Sequence, residues 1–151
     1  MHRYVESGLD NVYLENGYHV HRTPYGEGIA IQNTEGLNKA IGRWLVSLPK
    51  PMTGAELRFL RLEMEATQKG LASILGATEQ TLRLWEKNRK KAMPGPADRL
   101  LRALYLEYIG KDESVRKMLE KLAKFGQKEH RSKVRFRETN RGWKQLESHR
   151  T

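Results

Sequence analysis

Residues 67–88, TQKGLASILGATEQTLRLWEKN, decide how the rest of the chain is read. Leu71, Ala72 and Leu75 stand at i, i+1 and i+4, an apolar face about two helical turns long. Gly76 then interrupts the period and supplies the positive φ that a tight turn between helices requires. Thr78 follows as an N-cap, its hydroxyl placed to accept from the free N–H groups of the next turn. In the second helix Leu82 and Trp85 point inward, while Glu79, Gln80, Arg83 and Lys87 point outward. Two short helices, a glycine turn and a polar outer face on the second helix are the parts of a helix-turn-helix.

The pattern of Thr67, Gln68, Leu71, Ala72, Leu75, Gly76, Thr81, Leu82, Trp85 and Glu86 resembles the Cro/phage-repressor (Xre-type) DNA-binding domain. The resemblance covers residues 53–109. It implies that Gln68 opens the first motif helix and contacts the DNA backbone or an edge base. It implies further that Glu79, Gln80 and Arg83 face the major groove, and that Arg61 pairs with Glu86 to fix helix packing. Two positions depart from the family pattern. Asn88 stands where glycine is usual, and asparagine is the next best residue for a left-handed C-cap. Leu84 is apolar at a position often exposed, where it can touch a thymine methyl or pack on a neighbour.

The whole chain has 151 residues and a net charge of +10, which points to a polyanionic partner. It has no cysteine, so a disulfide framework and a thiolate zinc site are excluded. No apolar run approaches a membrane span, and the first ten residues lack the apolar core of a signal peptide. A cytoplasmic protein without membrane contact is the expectation.

Residues 1–50 read as a small α+β unit. Val12, Tyr13 and Leu14 and then Tyr18, His19 and Val20 flank Glu15, Asn16 and Gly17, which predicts a hairpin. Pro24, Gly26 and Gly28 predict a loop, followed by a strand through Ile29, Ala30 and Ile31. Thr34 caps an amphipathic helix with Leu37, Ala40, Ile41, Trp44, Leu45 and Leu48 on its apolar side, and the sheet is its simplest partner. Pro49 and Pro51 end that helix and mark a boundary.

Residues 51–110 form the second unit. Thr53 and Glu56 make a capping box, and the helix after it carries Leu57, Leu60 and Met64 on one face, with Phe59 and Leu62 on a flank. Arg89, Lys90 and Lys91 follow the motif in a loop expected near phosphates. Pro96 suits a first helical position, and the next helix carries Leu100, Leu101, Leu104, Tyr105, Tyr108 and Ile109 up to Gly110. In residues 111–151, an amphipathic helix over 114–125 (Val115, Met118, Leu119, Leu122) can complete the core or meet a second subunit. A basic tail follows, with Lys128, Arg131, Lys133, Arg135, Arg137, Arg141 and Lys144. Its period-two alternation from Lys133 to Arg137, with Trp143 after a turn, allows a surface hairpin or a mobile tail that touches nucleic acid, and the thin apolar content favours partial disorder.

Little here supports catalysis. His19 and His21 share one strand face without a third ligand near in sequence, so exposed histidines are the simpler reading and no metal or other cofactor is expected. Gly26 and Gly28 lack the rest of a phosphate-binding fingerprint. Ser7 and Ser47 have no evident base, and Trp44 and the tyrosines at helical spacing belong in the core.

The expected architecture is therefore mainly α, a Cro-like helix-turn-helix domain preceded by a small α+β unit. The expected function is sequence-specific DNA binding by a transcriptional regulator, a repressor acting as a homodimer. Its site residues would be Gln68, Thr78, Glu79, Gln80, Thr81, Arg83, Lys87, Arg89, Lys90 and Lys91, with Gln80 reading adenine, Arg83 guanine and Glu79 cytosine. The plan of a partner-facing module ahead of such a domain also resembles MqsA-type antitoxins, though without their zinc ligands. That makes a toxin protein the alternative partner, with DNA binding as feedback. An RNA-binding or nuclease role using His19 and His21 ranks last.

Overall fold

The computed structural model describes residues 1–125 and 133–146. About half of these residues lie in six helices, and the strands form three separate two-stranded antiparallel sheets. The expectation of a mainly α chain with a small β unit holds. The buried side chains form one continuous cluster running from Tyr4, Leu9 and Leu14 through Leu57, Leu60, Leu71 and Leu82 to Leu101 and Tyr105.

The N-terminal strands pair differently from the sequence expectation. Strand β1 (His2–Arg3) pairs with β2 (Tyr13–Leu14). The hairpin proper is β3 (Tyr18–Thr23) with β4 (Gly26–Ile31), turning at Pro24 and Tyr25. Gly26 and Gly28 thus lie in a strand and not in a loop. The short run 12–14 cannot reach across Gly17 to pair with β3, because Leu14 is drawn into the core and the Gly17 carbonyl accepts from the Gln32 N–H instead.

Helix α1 (Thr34–Ser47) is capped by Asn33, one residue earlier than expected; at φ 48° its side chain accepts from the Gly36 N–H at 3.2 Å. Its apolar face does not cover the ribbon β3–β4. Ile41, Gly42 and Leu45 turn toward α2 (Gly54–Glu63) and α5 (Gly95–Ile109), leaving Trp44 exposed and not in the core. Gly42 makes this possible. A Cβ there would collide with the Tyr105 hydroxyl, with ring carbon Cε1 only 2.7 Å away.

A polar clamp closes the same seam. Arg102 on α5 donates to the carbonyls of Val46, Leu48 and Lys50 at 3.2, 2.6 and 2.5 Å, which satisfies acceptors at and beyond the end of α1. Its Nε holds buried Asp98 at 2.6 Å, and the other Asp98 oxygen accepts the Met52 N–H at 2.9 Å. The turn of chain around Pro49 and Pro51 is therefore fixed by hydrogen bonds as well as by proline.

Helix α6 (Ser114–Phe125) packs on α3 (Gln68–Leu75) and α5. The Glu107 carboxylate accepts the N–H groups of Val115 and Arg116, so α5 itself caps α6. Leu119 joins the core while Met118 and Leu122 stay exposed. Strands β5 (Phe136–Thr139) and β6 (Gly142–Gln145) form a surface hairpin, so over these residues the pairing expected from the alternation holds and the favoured disorder does not. Lys128 and Arg131 lie outside the described residues.

Beneath α1, the Tyr4 hydroxyl donates to the Asn38 side chain at 3.0 Å, close to Glu63. Burial raises the Glu63 pKa; the Asn38 amide offsets part of this, and the Glu35 charge adds to it. A carboxyl with a raised folded-state pKa stabilises the fold below its ordinary pKa and loses that contribution as pH rises through the folded value. Glu63→Gln should therefore raise Tm at neutral pH, and the gain should vanish in acid, where both side chains are uncharged. Melting curves across that range check the sign.

Candidate nucleic-acid interface

The geometry of α4 (Glu79–Lys87) is set first by what it leans on. Thr53 and Glu56 form the expected capping box, so α2 begins sharply. Its first N–H groups then bond to the turn after α4: Gly54 N–H to the Lys91 carbonyl at 3.2 Å, Ala55 N–H to the Arg89 carbonyl at 3.1 Å. Gly54 lets the two backbones meet. A Cβ there would strike the Trp85 carbonyl oxygen and lie 2.7 Å from that of Asn88.

A chain of polar contacts runs from this buried seam to the surface. Arg61 on α2 grips Glu86 on α4 through two parallel bonds, Nε to Oε2 at 2.7 Å and Nη2 to Oε1 at 2.9 Å. Both side chains are at least nine-tenths buried. The third arm of Arg61 reaches the Ala66 carbonyl at 3.0 Å, tying down the turn that leads into α3. Gln68 donates to Glu86 at 3.3 Å and accepts from Arg83 Nε at 3.2 Å. Arg83 in turn holds Glu79 at 2.6 Å, one turn back on α4. Five side chains on α2, α3 and α4 thus form one network, buried at Arg61 and exposed at Arg83.

Between α3 and α4 the chain turns as the sequence predicts. Gly76 has φ 73°, and Thr78 accepts the Thr81 N–H at 3.1 Å while its hydroxyl donates to that of Thr81 at 2.8 Å. Leu82 is fully buried and Trp85 is half-buried against the core. Gln80, Arg83, Leu84 and Lys87 are exposed, and Glu79 and Thr81 partly so. The outer face of α4 therefore combines an amide, a guanidinium, an ammonium and one apolar side chain, Leu84. Gln68 is half-buried at the edge of this face.

Two details differ. Asn88 ends α4 at φ −84°, not in the left-handed region, because its carbonyl accepts the Lys91 N–H in a following turn. Arg89 is not free in that turn: it donates to the Gly8 carbonyl at 2.7 Å and to Asp10 at 3.2 Å, so it ties the N-terminal unit to the end of α4. Lys90 and Lys91 are exposed beside it. Sequence reasoning missed the Arg89 contacts, the Gln68–Arg83 bond and the Arg102 clamp. Only the i, i+4 spacing of Asp98 with Arg102, and of Glu79 with Arg83, carried any signal.

Elsewhere the chemistry is sparse. His19 and His21 share an exposed face of the ribbon, where His19 meets the Gln32 amide at 3.1 Å. Among the described residues no group of three potential ligands stands close enough to hold a metal ion. A cavity of about 350 Å³ lies between α1, α3, α5 and the start of α6, and none of the expected site residues lines it. No described helix is long and apolar enough to cross a membrane. Set against family models, curated proteins and solved structures, the chain matches none.

Removing one partner of a buried ion pair leaves an uncompensated charge, at a cost of roughly 3–5 kcal/mol, against about 0–1 kcal/mol for an exposed pair. Glu86→Ala should therefore fall in the upper range in chemical denaturation, and Glu79→Ala in the lower. Equal losses for the two would contradict the gradient of burial along the network.

Proposed function

We propose that this chain is a sequence-specific DNA-binding regulator whose α3 and α4 act as a helix-turn-helix of the Cro/phage-repressor type. One observation carries the reading. The side chains of α4 divide cleanly, with Leu82 and Glu86 buried to fix its axis and Gln80, Arg83 and Lys87 exposed together on the far side. A helix whose inner face is locked and whose outer face carries hydrogen-bonding groups suits the width of the major groove. The basic net charge supports the same partner.

In this reading α4 lies in the groove. Gln80 pairs with adenine and Arg83 with guanine, each through two hydrogen bonds. Arg83 is already oriented by Gln68 and Glu79, so less side-chain freedom is lost on contact. Guanine must displace or share the Glu79 carboxylate, and a site without an acceptor there leaves that ion pair undisturbed. Thr78, Thr81, Lys90 and Lys91 meet phosphates and set register and affinity without reading sequence. The chain acts as a homodimer on two half-sites and represses by occupying them.

Selection of duplexes from a random pool, followed by footprinting, tests the reading. Gln80→Ala and Arg83→Ala should each weaken binding to the selected site by about 1–3 kcal/mol. Tm and affinity for random duplex should hardly move, because neither side chain is buried. If both variants bind the selected site as the parent does, α4 is not in the groove. Lys90→Ala and Lys91→Ala should each lower the slope of log K against log salt by about 0.9 and keep the preferred sequence.

A further inference from the structure

The ribbon β3–β4 touches the rest of the protein at its base, where Tyr18 and Ile31 pack on the core, and the Gln32 N–H to Gly17 carbonyl bond closes its own ladder there. Beyond that base every residue of both strands is exposed, including Val20 at 52% and Ile29 at 37%. Among the described residues no third strand joins it, so the outer edge of β4 presents a row of unpaired backbone donors and acceptors. Such edges are normally blunted by charge, proline or shortness. Strands β1 and β2 are two residues long; β3 carries Arg22 with two histidines, and β5 and β6 carry Arg137, Glu138 and Lys144. Strand β4, GEGIAI, is equally long but has small or aliphatic side chains at every position except Glu27, and that single charge already faces Arg22 at 3.7 Å.

We propose that two copies of this chain pair β4 to β4, antiparallel, about a two-fold axis at Ile29, making a four-stranded sheet. Charge and the side-chain period choose the register. Centring on Glu27 would set two carboxylates face to face, and like charges directly opposite destabilise a ladder. Centring on Gly28 would set each Ile29 against a Glu27. Centring on Ile29 places Ile29 opposite Ile29 and Glu27 opposite Ile31. Since Val20 already faces Ile29 across the ribbon, the order Val20, Ile29, Ile29, Val20 then forms one apolar row across four strands. Gly28 and Ala30 fall opposite each other on the reverse face, so no side chain obstructs the close approach. An edge this short buries less than the roughly 1,200 Å² of a standard interface. The dimer is therefore weak in solution and tightened when both copies share one duplex. This inference supplies an interface for the homodimer of the proposed function, on which it rests for its biological use. The pairing itself needs no nucleic acid.

Because Ile29 sits on the two-fold axis, it is tested by charge exchange. Sedimentation of the full chain without DNA, from micromolar to millimolar, should show reversible dimerisation. Ile29→Glu and Ile29→Lys, each alone, should weaken it by roughly tenfold or more, with melting curves unchanged because the side chain is exposed. An equimolar mixture of the two should associate again, as a one-to-one heterodimer. A parent chain monomeric throughout, either charged variant dimerising like the parent, or a mixture that stays monomeric would overturn the proposal. A monomeric parent would also admit a different protein's strand as the edge's occupant. Failure here leaves the α4 substitutions free to succeed, and their failure leaves this result standing.

Discussion

The bidentate contact of Arg61 with Glu86, set beside the backbone seam at Gly54, holds the aim of α4. Two charges withdrawn from water carry a desolvation penalty of several kcal/mol per ion, recovered only when geometry is good and the remaining hydrogen-bonding positions are filled. Both conditions are met. The pair lies at 2.7 and 2.9 Å, the spare guanidinium nitrogen meets Ala66, and the spare carboxylate capacity meets Gln68. The contact fixes more than distance. A planar fork resists rotation of one helix about the other, a directional constraint that burial of Leu82 alone does not supply.

A second buried ion pair does a different task. Arg102 and Asp98 close the seam between α1 and α5 by collecting backbone groups that the prolines of residues 49–51 leave without helical partners. The first pair orients side chain against side chain, and the second gathers loose backbone. Their desolvation is offset separately, by acceptors and donors drawn from distinct segments. The N-terminal unit is joined to the remainder by apolar burial, by the Arg102 clamp and by the Arg89 bridge to Gly8 and Asp10.

What could be read in advance followed the range of the interactions. Caps at Thr53 and Thr78 and the turn at Gly76 are local, and the residues that make them lie within four positions of one another. The inward placing of Leu82 and the pairing of Arg61 with Glu86 were also legible, the first from period and the second from resemblance. The N-terminal pairings were not. Gly17 does take the positive φ of a turn, 77°, but strand partners are chosen by which side chains the core takes, and Leu14 is one of them. Trp44 failed for the same reason: its face was apolar by period, but the ribbon expected to cover it turned away. Arg89 looked like a phosphate ligand because its neighbours are basic, and nothing local marked Gly8 or Asp10 as its partners.

The narrow seam at Gly42 has a consequence for synthesis. Tyr4, Leu9, Leu14, Ile41 and Leu45 bury in the same cluster as Leu101 and Tyr105, and the last of these stands against Gly42 itself. The chain is translated from its N-terminus at about 5–20 residues per second, so these apolar side chains emerge seconds before the helix that covers them. During that interval they can shield one another but cannot reach their final packing. The N-terminal unit therefore completes its packing only after Tyr105, which stands against Gly42, has been synthesised.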